Sequence, residues 1–343
     1  MGIFESKTST KKKINGNSFL LLITIVLFFA MYIAGMIVFQ DKGFAKPQMF
    51  LNLFISNAGL LVIAAGQTIV MITGGIDISV GSVTALICMV MANQMENKGM
   101  NAYAAVVIAL AIGLAFGIVQ GFLVSYLEIQ PFIVSLAGLF FGRGLTSMIS
   151  TEMIAITNET FLKWAKFRFN MPFGSYSKRG NFLPAYIYPT VIIAVVVVII
   201  VALIMKYTNF GREVYAVGGN AQSAMMMGLN VKKIKFKAYV LNGLLTGLGG
   251  FLFCLNSCTG FVEQAKGLEM DAISASVIGG TLLSGGVGTP IGTLFGVLIK
   301  GTITSLITTQ GTLNSWWVRI VLSALLCFFI VLQSIFASMK KKK

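Results

Sequence analysis

From Pro47 to Ile76 the chain carries no charged side chain, and comparable runs recur at Ile14 to Gln40, Ile78 to Met95, Gly99 to Leu127, Asn181 to Met205, Ala238 to Val262 and Ala272 to Ile299. A helix that crosses a bilayer needs about 20 predominantly apolar residues. Backbone amides in lipid must be satisfied within their own segment, so this pattern restricts the chain to an all-α fold: a polytopic bundle of transmembrane helices. Gly, Ser and Thr are frequent inside the runs, as expected where helices approach closely or break. Apolar length, polar interruptions and the basic clusters place about ten spans near 18–39, 51–73, 79–95, 103–125, 131–150, 185–206, 238–258, 271–286, 289–308 and 316–336. The stretch 271–308 is the least regular. Gly279-Gly280 and the run Gly285 to Pro290 interrupt it, so a broken or re-entrant element fits as well as two full spans.

The formal charge of +15 is a topology signal. Lys7 with Lys11 to Lys13, the group Lys206, Arg212, Lys232, Lys233, Lys235 and Lys237, and the tail Lys340 to Lys343 hold 14 of the 26 basic residues. They gather at the ends of apolar runs, which is no nucleic-acid footprint, and the positive-inside rule assigns all three groups to the cytoplasm. An even number of spans then puts both termini on that side. The expected organisation is a cytoplasmic tail at 1–17, a transmembrane domain at 18–336 with a cytoplasmic loop at 207–237 and an external loop at 151–184, and a basic cytoplasmic tail at 337–343. The external loop holds Lys163, Lys166, Arg168, Lys178 and Arg179 against Glu152 and Glu159. These cations oppose the simple charge rule, but moving the loop inside would also invert the placement of the basic 206–237 region, so it is kept outside.

Several chemistries are unsupported. Cys88, Cys254, Cys258 and Cys327 lie in apolar segments of a chain without His, so they read as packing residues and no metal site is expected. Cys254 and Cys258 are spaced to share a helix face, which does not argue a disulfide. No G-x-x-x-x-G-K-[ST] loop occurs, so the chain is not expected to hydrolyse nucleotide itself. Nor does a G-x-S-x-G elbow or a His-containing triad occur, which leaves a membrane hydrolase without its parts. No cofactor is expected.

Gly74-Gly75-Ile76-Asp77-Ile78-Ser79-Val80-Gly81 places one carboxylate among glycines between two uncharged runs. Asp77 reads either as a cap at the start of the following helix, with Ser79 completing the turn, or as a contact for a transported solute. Both readings put it at a helix break facing protein or water. Glu269 and Asp271 read as a solvated helix entrance. A proton relay would need acids at matched depth inside the bundle, and few are available. Gly75 to Ser79 is echoed by Met270 to Ser274, which suggests an inverted repeat of the kind that brackets a midplane pathway in transporters.

The loop Gly211 to Lys237 contains Gly218-Gly219-Asn220 followed by Ala221 to Gly228. We expect a short helix there, with Asn220 as its N-cap and Gly228 as its stop. Met225, Met226 and Met227 give it an adaptable apolar patch suited to docking another protein.

Gly66-Gln67-Thr68 leading to Gly74 through Ser82, then Gly218-Gly219-Asn220 through Gly228, then Leu268 to Ile273 through Gly279-Gly280-Thr281 and Gly285 to Thr289 together resemble the permease subunit of ribose and simple-sugar ATP-binding-cassette importers. Pro131-Phe132-Ile133, Leu136-Ala137-Gly138, Phe141 to Gly144 and Gly311 to Trp317 look most like the galactofuranose-type permease. The resemblance implies a non-catalytic permease in the bacterial cytoplasmic membrane, working beside a second copy or a sister permease. Two cytoplasmic ATP-binding subunits would lie below it, and an extracytoplasmic sugar-binding protein above. ATPase coupling then falls to Gly219, Asn220, Ala221, Ala224, Met225 and Gly228. The substrate pathway falls near Gly74, Gly75, Asp77, Ser79, Asp271, Gly279 and Gly280, with Asn57, Gln67, Phe132, Phe141 and Asn256 as candidate lining by residue type and depth, or else as packing and interhelical hydrogen-bond residues. An ion- or proton-coupled secondary transporter is the alternative motivated by the same broken helices.

Overall fold

The structure is a computed structural model that describes residues 16–176, 181–314 and 316–341. The cations Lys7, Lys11 to Lys13, Lys178, Arg179, Lys342 and Lys343 lie outside the described residues, as does Ser315.

Helices α1 (Gly16–Val38), α2 (Pro47–Ile72), α3 (Val80–Glu96), α4 (Ala102–Ser125) and α5 (Pro131–Ile149) come first. Strand β1 (Ile154–Ala155), helix α6 (Glu159–Lys166) and strands β2 (Phe169–Tyr176) and β3 (Phe182–Ile187) follow. The remainder is α7 (Pro189–Tyr207), α8 (Asn209–Gly219), α9 (Ala221–Met226), α10 (Val231–Ser257), β4 (Thr259–Gly260), α11 (Leu268–Ile278), α12 (Pro290–Gln310) and α13 (Trp316–Lys341). Pro47, Pro131, Pro189 and Pro290 each open a helix, where the missing amide hydrogen has no partner to lose.

Among the described residues, eight helices are long and apolar enough to cross a membrane: α1, α2, α4, α5, α7, α10, α12 and α13. The other two expected spans are shorter. Helix α3 has 17 residues and α11 only 11. The span expected at 271–286 stops at Ile278 because Gly280, Gly285 and Gly286 adopt φ of +93°, +88° and +75°, which L side chains avoid. The chain instead turns through these glycines to Pro290.

The bundle has two distinct ends. At one, β1 pairs antiparallel with β4 (Ile154 opposite Gly260) and β2 with β3. The segment expected as an external loop therefore holds strands and the helix α6. At the other end lie α8 and α9.

Helix α10 organises the interior, running antiparallel to both α2 and α4. A Cβ on Gly243 would lie 2.4 Å from the carbonyl oxygen of Gly113, and one on Gly117 would lie 2.7 Å from that of Tyr239. These small residues bring two backbones into direct contact. Helix α2 is buried continuously from Asn57 to Ile72, which explains why its sequence is apolar all round.

The packing carries the symmetry suggested by the sequence echo. Helix α10 lies on α4 and α3 as α2 lies on α12 and α11, while α3 adjoins α4 and α5 as α11 adjoins α12 and α13. Exchanging α2 with α10, α3 with α11, α4 with α12 and α5 with α13 maps one set of neighbours onto the other. Since α2 and α10 are antiparallel, the relation is an inverted one.

Gly243→Ala is expected to force α4 and α10 apart and to destabilise the bundle by about 1–3 kcal/mol. Gly144→Ala, at a helical position with nothing within 4 Å of the added carbon, should leave stability unchanged or raise it by about 0.5–1 kcal/mol. Thermal unfolding of both purified variants checks this, and equal melting temperatures would contradict the close α4–α10 contact.

Candidate functional site

Between α2 and α3 the chain leaves helical geometry at Gly74, whose φ is +80°, and Asp77 is 5% exposed. Its Oδ1 accepts hydrogen bonds from the Ser79 amide at 2.9 Å and the Ser79 hydroxyl at 2.7 Å, and its Oδ2 from the Asn242 side chain at 2.8 Å. The Gln67 amide, turned to satisfy both its groups, donates to the Asp77 carbonyl at 3.1 Å and accepts from the Asp77 amide at 3.2 Å. The Tyr239 hydroxyl donates to the Ile76 carbonyl at 3.2 Å, and Gln120 Nε2 donates to the Ser79 hydroxyl at 2.7 Å. One network thus ties α2, α3, α4 and α10 together. A carboxylate survives in an apolar bundle only when so satisfied.

Of the residues expected along the pathway, Gln67, Asp77 and Ser79 meet in this network, whereas Asn242, Tyr239 and Gln120 are not among the expected residues. The signal for Gln120 was a lone amide in an otherwise apolar helix, and Asn242 had a similar setting in α10. The network sits off the middle of the bundle, toward the α8–α9 end. Asn242 follows closely on Lys237, the last of the cations Lys232, Lys233, Lys235 and Lys237 that crowd the start of α10. There Lys232 lies 2.8 Å from Glu128 and holds that exposed carboxyl below the usual range.

Three backbones meet beside this clamp. The Gly286 amide donates to the Ile72 carbonyl at 2.8 Å. A Cβ on Gly218 would lie 1.7 Å from that same oxygen and 2.6 Å from the Gly286 nitrogen. The last turn of α8, the α2–α3 break and the 279–289 turn are therefore in direct contact, and the Tyr215 hydroxyl adds a bond to the Gly288 carbonyl at 2.8 Å. Gly75 is buried against Tyr239, Gly279 against Gly292, and Gly280 beside Leu20, while Gly74 is exposed.

Gly219 and Asn220 emerge immediately beyond this contact. Asn220 Oδ1 accepts from the Ser223 amide at 2.9 Å and caps α9. The helix ends at Met226, and Gly228 follows with φ of +84°. Ala224 is buried and Ala221 half-buried, whereas Met225, Met226 and Met227 are 62%, 79% and 69% exposed. Met225 and Met226 on the capped helix and Met227 just beyond it form an exposed apolar patch.

A second polar group lies nearer the sheet end. Lys300, midway along α12, places its Nζ 3.1 Å from Asp271 Oδ2 and 3.5 Å from Asn57 Oδ1. A cation at the centre of a membrane helix costs about 2.5–3.5 kcal/mol on insertion scales, and the carboxylate offsets it. Sequence reasoning passed over Lys300, although it is the single charged residue between Asp271 and Arg319. Two clefts of about 330 and 370 Å³ flank the pair. One is bounded by Thr304, Trp316 and Arg319, the other by Phe253, Phe261 and Gln264. Glu269, expected at a solvated entrance, instead turns its carboxylate into the space left by Gly81.

Phe132 and Phe141 join neither group. They are 50% and 62% exposed on the outer face of α5. That helix meets α3 through Gly138 and Gly142, whose added Cβ atoms would lie 3.2 Å from the Ser79 side chain and 2.8 Å from the Ser82 hydroxyl. A contact so close admits no aromatic ring.

The sequence profile of the family described as the permease component of branched-chain amino acid transport systems matches residues 49–330. The chain is 39% identical to the inner membrane ABC transporter permease protein YjfF of Escherichia coli over 314 residues, 91% of each chain. It is 39% identical to the ribose import permease protein RbsC of Bacillus subtilis over 263 residues, 77% of this chain and 78% of that one. It is 33% identical to the fructose import permease protein FruG of Bifidobacterium longum over 315 residues, 91% of this chain and 89% of that one. No solved structure matches the chain. The chain belongs to this permease-component family, the one that also holds ribose and simple-sugar importer permeases.

Proposed function

We propose that this chain is the permease subunit through which an ATP-binding-cassette importer carries a small sugar across the cytoplasmic membrane, with the α8–α9 end and both termini in the cytoplasm. The observation that carries this reading is the exposed Met225–Met227 helix set against the backbone junction of Gly218, Ile72 and Gly286. A separate ATPase gripping α9 would push, through α8, on the α2–α3 break and the glycine turn. Work of this kind needs two bundle states that the ATPase contacts differently. The clamp at Asp77 keeps α3 attached to α2, α4 and α10, so a push at the junction displaces packed groups of helices rather than unravelling one.

An extracytoplasmic binding protein would deliver sugar to the sheet end, and a second permease copy or a sister permease would complete the assembly. The resemblance at Pro131 to Gly144 and Gly311 to Trp317 favours a galactofuranose-like sugar, and the permeases named for ribose and fructose favour a monosaccharide in general. Uptake of labelled pentoses and hexoses by the chain reconstituted with its ATPase and binding protein identifies the sugar.

Replacing Met225, Met226 and Met227 together by Asp should abolish copurification of the ATPase while membrane insertion stays normal. Undiminished copurification would remove α9 as the docking helix. Asp77→Ala leaves the Asn242 amide without its acceptor, at a cost of about 1–3 kcal/mol, and should lower sugar flux. Asp77→Asn, which keeps acceptor capacity on its carbonyl oxygen, should lower it less. Flux assays on the two variants decide this, and unchanged flux in Asp77→Ala would take the clamp out of the transport cycle.

A further inference from the structure

We infer that the cleft between α11, α12 and α13 is a binding station for a neutral monosaccharide, with Asp271 and Lys300 as its polar floor and Trp316 as its wall. The inference rests on the sugar-importer reading above and names where on this chain the sugar first binds.

The side chains of Lys300 and Asp271 are 20% and 30% exposed, and both line the cleft. An ammonium has three donors and a carboxylate accepts at two oxygens. The bonds from Lys300 to Asp271 Oδ2 and Asn57 use two of those donors and one of those oxygens, which leaves donor and acceptor capacity side by side. Neighbouring sugar hydroxyls, each both donor and acceptor, match that arrangement. Thr304 adds a hydroxyl to the same wall.

Trp316 is 62% exposed, and the Arg319 guanidinium stacks on its ring at 4.8 Å. The cation fixes the ring, and the exposed indole gives the C–H face of a sugar an apolar surface. The cleft volume of about 330 Å³ lies at the small end of the range of about 300–1,000 Å³ for small-molecule sites, which suits one sugar ring. Two of the three cations on the lining are paired with acids, which favours a neutral one. Asp271 offsets Lys300, and Glu263 offsets Lys266 at 2.6 Å. Among the described residues only Arg319 on this lining meets no acid in a salt bridge, and it is engaged with Trp316.

The chain has three tryptophans, so Trp164→Phe with Trp317→Phe leaves Trp316 as the reporter in the full-length purified protein. Titration with neutral pentoses and hexoses, and with a uronic acid as the charged control, should give a saturable change in Trp316 emission for a neutral sugar. The double variant Asp271→Lys with Lys300→Asp keeps an ion pair while exchanging donor and acceptor. It should fold normally and raise the half-saturating concentration about tenfold or more. In the reconstituted importer, Trp316→Ala and this double variant should raise the half-saturating sugar concentration for uptake in the same proportion.

A flat titration across the panel, an unchanged midpoint in the double variant, or a response to the uronic acid alone would overturn the station. Wild-type uptake kinetics in both variants would also discard it and leave the importer reading standing. Failure of the unaltered importer to take up any sugar would overturn both.

Discussion

A single carboxylate deep in an apolar bundle is the constraint on which this structure depends. Asp77 cannot be hydrated by lipid, so its two oxygens and its backbone must be satisfied by protein. Ser79, Asn242 and Gln67 do this directly, while Tyr239 and Gln120 fix the residues on either side. Because those partners come from α2, α3, α4 and α10, a local requirement for hydrogen bonds becomes the tie among four helices. The glycine contacts of α4 with α10 let the polar side chains reach one another without leaving an apolar gap.

Much of the fold was legible because lipid imposes long apolar runs and leaves few alternatives. The expected spans at 103–125, 131–150 and 289–308 lie within a few residues of α4, α5 and α12. The α11 region was less legible, since glycines at positive φ end a helix without changing hydropathy. The strands at the sheet end escaped for another reason: β1 and β4 are two residues each and pair across a long separation in sequence, so neither carries a pattern.

The site was partly legible for similar reasons. Asp77 and the helix Ala221–Met226 announce themselves, one by a charge between apolar runs and the other by a cap, a methionine triplet and a following glycine. Asn242 and Gln120 look like ordinary interhelical amides until the geometry brings them to one carboxylate. Lys300 carried the same signal as Asp77, a lone charge in an apolar segment, and its partner Asp271 was recognised without it. Phe132 and Phe141 differ, since residue type suggested a lining role, whereas both lie exposed on α5 and small residues of that helix make the contact with α3.

The two polar groups lie toward opposite ends of the bundle, with the junction of Gly218, Ile72 and Gly286 beside one of them. Under the proposed function the end beside that junction is the inner one, moved by a separate ATPase, and the other is the outer end, which receives solute. No G-x-x-x-x-G-K-[ST] sequence occurs in the chain. The direct measurement is solute accumulation in liposomes, with the purified chain alone and with its ATPase and binding protein. The account predicts accumulation against a gradient only when the ATPase and ATP are both present, unaffected by ionophores. Accumulation by the chain alone, or its collapse on adding an ionophore, would contradict it.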